Sequence, residues 1–155
     1  MRTRNLPPGA HFALWLLTQN TSPHELEIDL VEVVGNNLIS KEKPLNVLFY
    51  NGHDRQNVPP QNGPQTNESV SNYDLNQWHV YSFLYTPTEF TWYRDGIIVR
   101  QEAAYFDGSS PLYFLATWES NYSQPKNFPG PSQGNRPTFP AEVEIDYLRV
   151  YAPPD

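Results

Sequence analysis

Three acidic residues, Glu27, Asp29 and Glu32, lie in a run where acidic residues alternate with large aliphatic ones. This alternation, rich in β-branched residues, is typical of a strand with one wet and one buried face. Side chains two positions apart on a strand share a face, so Glu25, Glu27 and Asp29 should point the same way. Carboxylates grouped in this manner can divide the roles of nucleophile and proton donor between them.

Glu32 breaks the alternation, because it lies five positions after Glu27 and would point into the hydrophobic face. A β-bulge near Leu30 and Val31, which accommodates one extra residue, would return Glu32 to the face of the other two acids. Strand geometry then places the α-carbons of Glu27 and Glu32 ~13 Å apart. Their carboxyl groups could approach to about 5 Å, close to the ~5–5.5 Å typical of a retaining glycosidase. A solvated strand face that serves solubility is the alternative interpretation.

The composition favours one domain and disfavours several classes of function. A chain of 155 residues is long enough for one hydrophobic core. It has no cysteine, so disulfides and thiol chemistry are excluded. The net charge of −7 argues against a nucleic-acid partner. Aromatic residues make up 14% of the chain, which suits either a sugar-binding surface or an all-β core.

No apolar run near the amino terminus is long enough for a secretory or membrane-spanning segment. The sequence therefore predicts no membrane partner, and either an intracellular protein or a mature or shortened chain.

The remaining segments predict short strands separated by turns and no helix of ordinary length. Residues 54–71 and 119–140 are rich in Asn, Gln, Pro and Gly and predict long loops. Asp95-Gly96 predicts a tight hairpin turn. This pattern favours an all-β sandwich of antiparallel strands. Beyond the acidic run, the predicted strands cover residues 12–17, 45–50, 78–85, 90–94, 97–100, 112–118 and 141–151.

Four stretches in order resemble glycoside hydrolase family 16, in the laminarinase-like form whose active-site strand carries a bulged E-x-D-x-x-E motif. They are residues 8–17 (PGAHFALWLL), 27–32 (EIDLVE), 78–96 (with WHVY, YTP and FTWYRDG) and 139–151 (FPAEVEIDYLRVY). The resemblance implies a concanavalin-like jelly-roll β-sandwich, a single and N-terminally short domain over residues 1–155.

The resemblance also implies the roles of the acids. Glu27 would be the nucleophile, Glu32 the general acid/base, and Asp29 the residue that orients and electrostatically tunes the pair. The expected activity is that of an endo-acting, retaining enzyme on a β-linked polysaccharide, with β-1,3-glucan first and a galactan such as agar second. An extracellular location follows by the same resemblance.

Three further site residues are predicted from the sequence segments in which they lie. Trp15, His79 and Trp118 are candidates to line the substrate cleft, while a core role for Trp15 and a structural role for His79 are the alternatives. No cofactor is required, and a structural calcium near Asp146 is compatible with the family because hard oxygen ligands suit that ion.

The chain also departs from the family pattern. Strands that normally precede the Trp15 segment are missing, which would expose sheet edges unless a partner chain or oligomer covers them. No histidine is found in residues 45–50, where related enzymes often have one. A non-catalytic carbohydrate-binding or structural jelly roll within a larger assembly is therefore the second hypothesis.

Overall fold

A computed structural model describes residues 1–6, 10–18, 26–35, 45–54, 61–62, 66–104, 111–120 and 140–152. Within these ranges the chain forms strands and one four-residue helix, and every strand pairing is antiparallel, so the all-β prediction is confirmed. The elements are β1 (Arg2–Arg4), β2 (Ala10–Thr18), β3 (Leu26–Val34), β4 (Leu45–Asp54), β5 (Gln61–Asn62), β6 (Thr66–Ser71), α1 (Asn72–Leu75), β7 (Tyr81–Tyr85), β8 (Glu89–Arg94), β9 (Ile97–Ala103), β10 (Leu112–Ser120) and β11 (Glu142–Glu144).

The largest sheet has the order β10-β2-β3-β4, and both β5 and β6 pair with β4. The acidic strand β3 is therefore held on both sides, by β2 and by β4. Glu25, which the alternation places on the same face, lies outside the described residues. The central position of β3 makes it a rigid support for the side chains that it carries.

Strands β5 and β6 lie where residues 54–71 were predicted to form one long loop, so that prediction is wrong in part. Their polar composition gives no apolar period from which a strand could be recognised. Both strands pair with β4, so their backbone hydrogen bonds identify them where their residue types do not.

A second sheet has the order β7-β8-β9, and its hairpin between β8 and β9 turns at Asp95 and Gly96. Their φ angles of +53° and +79° confirm the predicted tight turn, because positive φ at both positions matches the twist of a two-residue hairpin. The predicted strand over residues 78–85 is shorter in the structure and begins at Tyr81.

The core lies between the two sheets. Ile28, Val31 and Val33 of β3 face it with no exposed surface, and Phe90 and Trp92 of β8 are equally buried. Aromatic contacts inside the core include Phe83 with Phe90 and Trp92. Of the two explanations for the aromatic content, the core accounts for these residues.

A small third sheet pairs β1 with β11, where Arg2 and Arg4 contact Glu144. The predicted closing strand over residues 141–151 is formed only at Glu142–Glu144. Several large apolar residues near it are exposed, among them Ile145, Leu148 and Val150. No helix in the described part of the chain is long and apolar enough to cross a membrane.

Candidate active site

The predicted bulge is present in β3 and its location is confirmed. Asp29 pairs with Asn51 of β4, and the next paired residue, Glu32, lies opposite Phe49, so Leu30 and Val31 together face one residue of β4. On the other side Asp29 pairs with Trp15 of β2, while the adjacent Leu14 already pairs with Val31. Strand β3 therefore holds one residue more than both of its neighbours.

The bulge preserves both faces of the strand. Before it, Ile28 faces the core, and after it Val31 and Val33 do, all without exposed surface. The acids Glu27, Asp29 and Glu32 consequently share the opposite face. We call Glu27, Asp29 and Glu32 the acid row. Only 9% of Glu27 and 4% of Asp29 is exposed, so the row lies in a recess and not on a solvated strand face.

The backbone at the bulge is tied to the second sheet. The indole Nε1 of Trp92 donates a hydrogen bond to the carbonyl oxygen of Asp29 at 2.9 Å, in a buried contact. A carbonyl next to a bulge is easily left out of the strand ladder, because the extra residue interrupts the regular pairing. Trp92 therefore satisfies a backbone group at the point where the acid row changes register.

His53 of β4 contacts the first two acids. Its Nε2 lies 3.2 Å from Oδ2 of Asp29 and 3.8 Å from Oε1 of Glu27. The sequence interpretation missed this histidine, because it ended the strand at residue 50 whereas β4 continues to Asp54. The available signal was parity, since His53 is two positions after Asn51 and four after Phe49, and these share one face.

Asn51 and Arg100 fix the orientation of His53. The Asn51 side-chain amide N–H donates to Nε2 of His53 at 2.8 Å, while its Oδ1 accepts from the Gly52 N–H at 2.9 Å. Arg100 of β9 donates to the Tyr50 carbonyl at 2.6 Å and to Oδ1 of Asn51 at 3.3 Å. The amide thus presents its N–H groups to His53 because its oxygen is already occupied.

The Arg100 guanidinium is buried but not isolated. It is 6% exposed, lies over the Trp92 ring at 4.7 Å from the centroid and forms an ion pair with Glu102. A buried charge needs such a partner and full hydrogen bonding. Arg100 therefore supports the site from behind without itself reaching the acid row.

Burial raises the pKa of Asp29 above its ordinary value. Contact with the His53 imidazole works against this effect, and the neighbouring Glu32 charge adds to it. A buried carboxylate next to like charges is less stable ionised, since desolvation and repulsion both disfavour the charged form. Burial therefore biases the middle acid of the row toward its protonated form.

Glu32 has a separate histidine. Nε2 of His11, on β2, lies 3.0 Å from Oε1 of Glu32, and both side chains are largely buried. The sequence interpretation also missed His11, because its partner depends on the pairing of β2 with β3. The acid row is therefore flanked by a histidine on each neighbouring strand, His11 at one end and His53 at the other.

The three predicted cleft residues do not come together. Trp15 pairs with Asp29 and so shares the face of the acid row, and its Nε1 donates to Thr117 Oγ1 at 3.2 Å. Trp118 pairs with Phe12, with ring centroids 6.3 Å apart, and Phe12 belongs to the core. The structure therefore places Trp118 on the opposite face, because residues alternate along β10 and Thr117 takes the groove side.

His79 lies outside the acid row as well. Its Nδ1 is 2.7 Å from Oδ2 of Asp95, and its Nε2 is 2.9 Å from the carbonyl oxygen of Asp74. These contacts connect the start of β7 to the hairpin turn and to α1. They match the alternative of a structural histidine.

Within the described residues, the single group of three side chains with ligand atoms close enough to hold a metal is Glu27, Asp29 and His53, all within 4.8 Å. These atoms also contact one another directly, and we assign no metal to them. Asp146, where a calcium was considered, is exposed and belongs to no such group among the described residues.

Comparison with known proteins identifies the family of the chain. The model of the family "Glycosyl hydrolases family 16" matches residues 1–123. The κ-carrageenase of Pseudoalteromonas carrageenovora is 26% identical over 167 aligned positions, which cover 93% of this chain and 40% of that protein. The chain therefore spans well under half the length of this curated relative.

Two solved structures share the fold. A κ-carrageenase from Zobellia galactanivorans superposes with a TM-score of 0.52 and 15% identity, over 74% of this chain and 48% of that one. The Pseudoalteromonas carrageenovora κ-carrageenase, in complex with an oligotetrasaccharide of κ-carrageenan, gives 0.56 and 18%, over 86% and 55%. The jelly-roll β-sandwich that the sequence predicted is confirmed.

Proposed function

Since the chain belongs to glycosyl hydrolase family 16, we propose that it carries the catalytic strand of an endo-acting, retaining glycoside hydrolase on a β-linked galactan of the carrageenan type. The observation that supports this most is the bulge, which places Glu27, Asp29 and Glu32 on one recessed face. A row of buried like charges is costly, and a fold without chemistry at this point has no reason to maintain it.

In the proposed mechanism Glu27 is the nucleophile and Glu32 the general acid/base. Glu27 attacks the anomeric carbon while Glu32 transfers its proton to the departing glycosidic oxygen, which leaves a glycosyl ester on Glu27. Water then gives a proton to Glu32, its oxygen bonds to the anomeric carbon, and Glu27 is released. Two inversions at the same carbon retain its configuration.

Asp29 lies between the two and orients them. Burial raises the pKa of Asp29 and so favours its neutral form. A neutral Asp29 repels the charges of Glu27 and Glu32 less than an ionised one does. Trp15, which faces the same groove, is proposed to stack on a sugar ring of the bound chain.

A galactan is preferred as substrate because the similar proteins from Pseudoalteromonas carrageenovora and Zobellia galactanivorans are both κ-carrageenases. The β-1,3-glucan favoured from the sequence has no support of this kind, and it enters the test as a competing substrate. The proposal includes an extracellular location, since a polymeric galactan would be encountered outside the cell. A partner chain or oligomer that covers the sheet edges left by the missing strands remains a prediction.

The test is product formation by the purified protein on κ-carrageenan, agarose, laminarin and mixed-linked β-glucan, beside the Glu27→Gln and Glu32→Gln variants. We expect oligosaccharides from a galactan, loss of product in both variants, and β-configured reducing ends in the first products by proton NMR. Glu144→Gln is the matched control, because Glu144 pairs with Arg2 at the surface, away from the acid row.

Two results would contradict the proposal. Products that persist in Glu27→Gln would remove the nucleophile from the mechanism. A folded protein that binds a polysaccharide in affinity electrophoresis but releases no product would instead support the non-catalytic carbohydrate-binding hypothesis.

A further inference from the structure

His11 lies where it can control one acid of the row. In register, Glu32 is opposite Ala13 on β2 and Phe49 on β4, and neither of these side chains can form a hydrogen bond. His11 lies two residues before Ala13 on the same face of β2. It is therefore the diagonal cross-strand neighbour of Glu32. From there its Nε2 comes within 3.0 Å of Oε1 of Glu32.

The contact selects one oxygen of the carboxyl group. With Oε1 engaged by His11, proton exchange with substrate and water falls to Oε2. The two flanking apolar residues also restrict the side chain. A general acid must lie within hydrogen-bond reach of the atom that it protonates, so fixing its rotamer contributes directly to rate.

A histidine suits this position because Glu32 must change its protonation state twice in each turnover. A neutral imidazole has one N–H and one bare nitrogen. An Nε2 that carries the proton donates to the ionised carboxylate, and a bare Nε2 accepts from the protonated acid. A histidine can therefore bond Oε1 of Glu32 in either protonation state of the acid.

We propose that His11 is a positioning residue for Glu32, which holds the acid/base in place for proton transfer to the leaving group. The inference rests on the proposed function and adds a residue to it. His53 occupies the other end of the acid row, where it contacts Asp29 and Glu27. The two histidines therefore serve different acids and should differ in their kinetic effects.

The kinetic test compares His11→Phe, which keeps a ring without nitrogen, with His11→Gln, which keeps both a donor and an acceptor. Each is assayed on the polysaccharide and on an aryl glycoside of a short oligosaccharide from it, whose phenolate leaves without protonation. We expect His11→Phe to lower kcat on the polysaccharide by about 10- to 100-fold. Release of the phenolate in the first turnover should be nearly unchanged, because it precedes the step in which Glu32 acts as the base. KM on the polysaccharide should be unchanged, and His11→Gln should recover most of the loss.

His79→Gln is the matched control, since His79 contacts Asp95 and the Asp74 backbone and not the acid row. It should leave the ratio of the two activities at the parental value. Equal losses in polysaccharide kcat and in the first-turnover rate of phenolate release in His11→Phe would overturn the proposal, as would the absence of any loss.

A second readout does not depend on activity. In ¹⁵N NMR of the imidazole nitrogens, Glu32→Gln should shift the His11 signals and leave those of His79 in place. If the parent hydrolyses none of the polysaccharides, the proposed function fails, while this spectrum still decides whether His11 and Glu32 are in contact. Unshifted His11 signals would refute the contact.

Discussion

Deleting Leu30 should leave the protein folded with the acid row intact, whereas deleting the nearby Ile28 should not. Strand β3 holds one residue more than β2 and β4 between Asp29 and Glu32. Removing Leu30 gives a regular strand that pairs residue for residue with both neighbours. The spacing from Asp29 to Glu32 becomes two positions, so strict alternation alone keeps both acids on the groove face.

Deleting Ile28 has the opposite consequence. If the bulge flattens, Asp29 moves to the core position that Ile28 occupied, and if the bulge persists, Glu27 moves there. Either arrangement buries a carboxylate among apolar side chains. Loss of a fully buried isoleucine costs about 2–5 kcal/mol, and an unpaired buried charge adds several more. Together these approach the whole stability of a typical domain, about 5–15 kcal/mol.

The cost of deleting Leu30 follows from two contacts. Leu30 is partly buried against the core, which corresponds to about 1 kcal/mol of burial. Regular pairing also returns the Asp29 carbonyl to the ladder, so the Trp92 N–H loses its acceptor, at a cost of about 1–3 kcal/mol. The sum, about 2–4 kcal/mol, corresponds to a fall in Tm of about 4–16 °C for a chain of this length.

Urea unfolding followed by tryptophan fluorescence measures both deletions, and near-ultraviolet circular dichroism checks that the packed core persists. Trp92→Phe in each background adds a direct check on the bulge. In the parent it should cost about 1–3 kcal/mol, because the Asp29 carbonyl loses its donor. In the chain without Leu30 it should cost clearly less. Equal destabilisation by the two deletions, or no coupling with Trp92, would refute this account of the bulge.

Two further predictions concern charge. Because burial raises the pKa of Asp29, its contribution to stability is complete below the unfolded value of 3.8 and is lost as the pH rises through the folded pKa. Asp29→Asn should therefore raise Tm most at neutral pH, with a gain that shrinks toward pH 3.8 in scanning fluorimetry, and a gain independent of pH would contradict the assignment. Arg100→Leu should cost about 3–5 kcal/mol, since it leaves Glu102 without its buried partner. Arg100→Leu with Glu102→Leu should recover part of that loss in urea unfolding, and strictly additive losses would show that the two charges do not interact.

Most of what the sequence could predict came from the local alternation of acidic and aliphatic residues. The period of two placed Glu27 and Asp29 on one face, and its violation at Glu32 located the bulge before any pairing was known. Parity could place His53 on one face with Asn51, but it could not show that either histidine meets the acid row. His11 and His53 reach the acid row only through the registers of β2 and β4 with β3, and register is a relation between segments that neither contains alone.

The same limit explains Trp118. Its position near the end of a strand, before a polar segment, suggested a place at the mouth of the cleft. Its face depends on how β10 pairs with β2, where Thr117 lies opposite Ala13 and Trp118 opposite Phe12. A shift of one residue in this register would have exchanged Thr117 and Trp118, so composition and position along the chain could not distinguish the two outcomes.

The second sheet determines how firmly the acid row is held. Trp92 binds the Asp29 carbonyl on β3, and Arg100 binds the Tyr50 carbonyl and the Asn51 side chain on β4. Trp92 and Arg100 also stack on each other. This buried pair therefore connects the backbone of β3 at the bulge to the backbone of β4. Composition alone could not assign the aromatic residues to sugar binding or to core packing. Trp92 belongs to the core and supports the site from that side. A change at Trp92 should therefore alter the positions of Asp29 and His53 although it touches neither the groove nor the substrate.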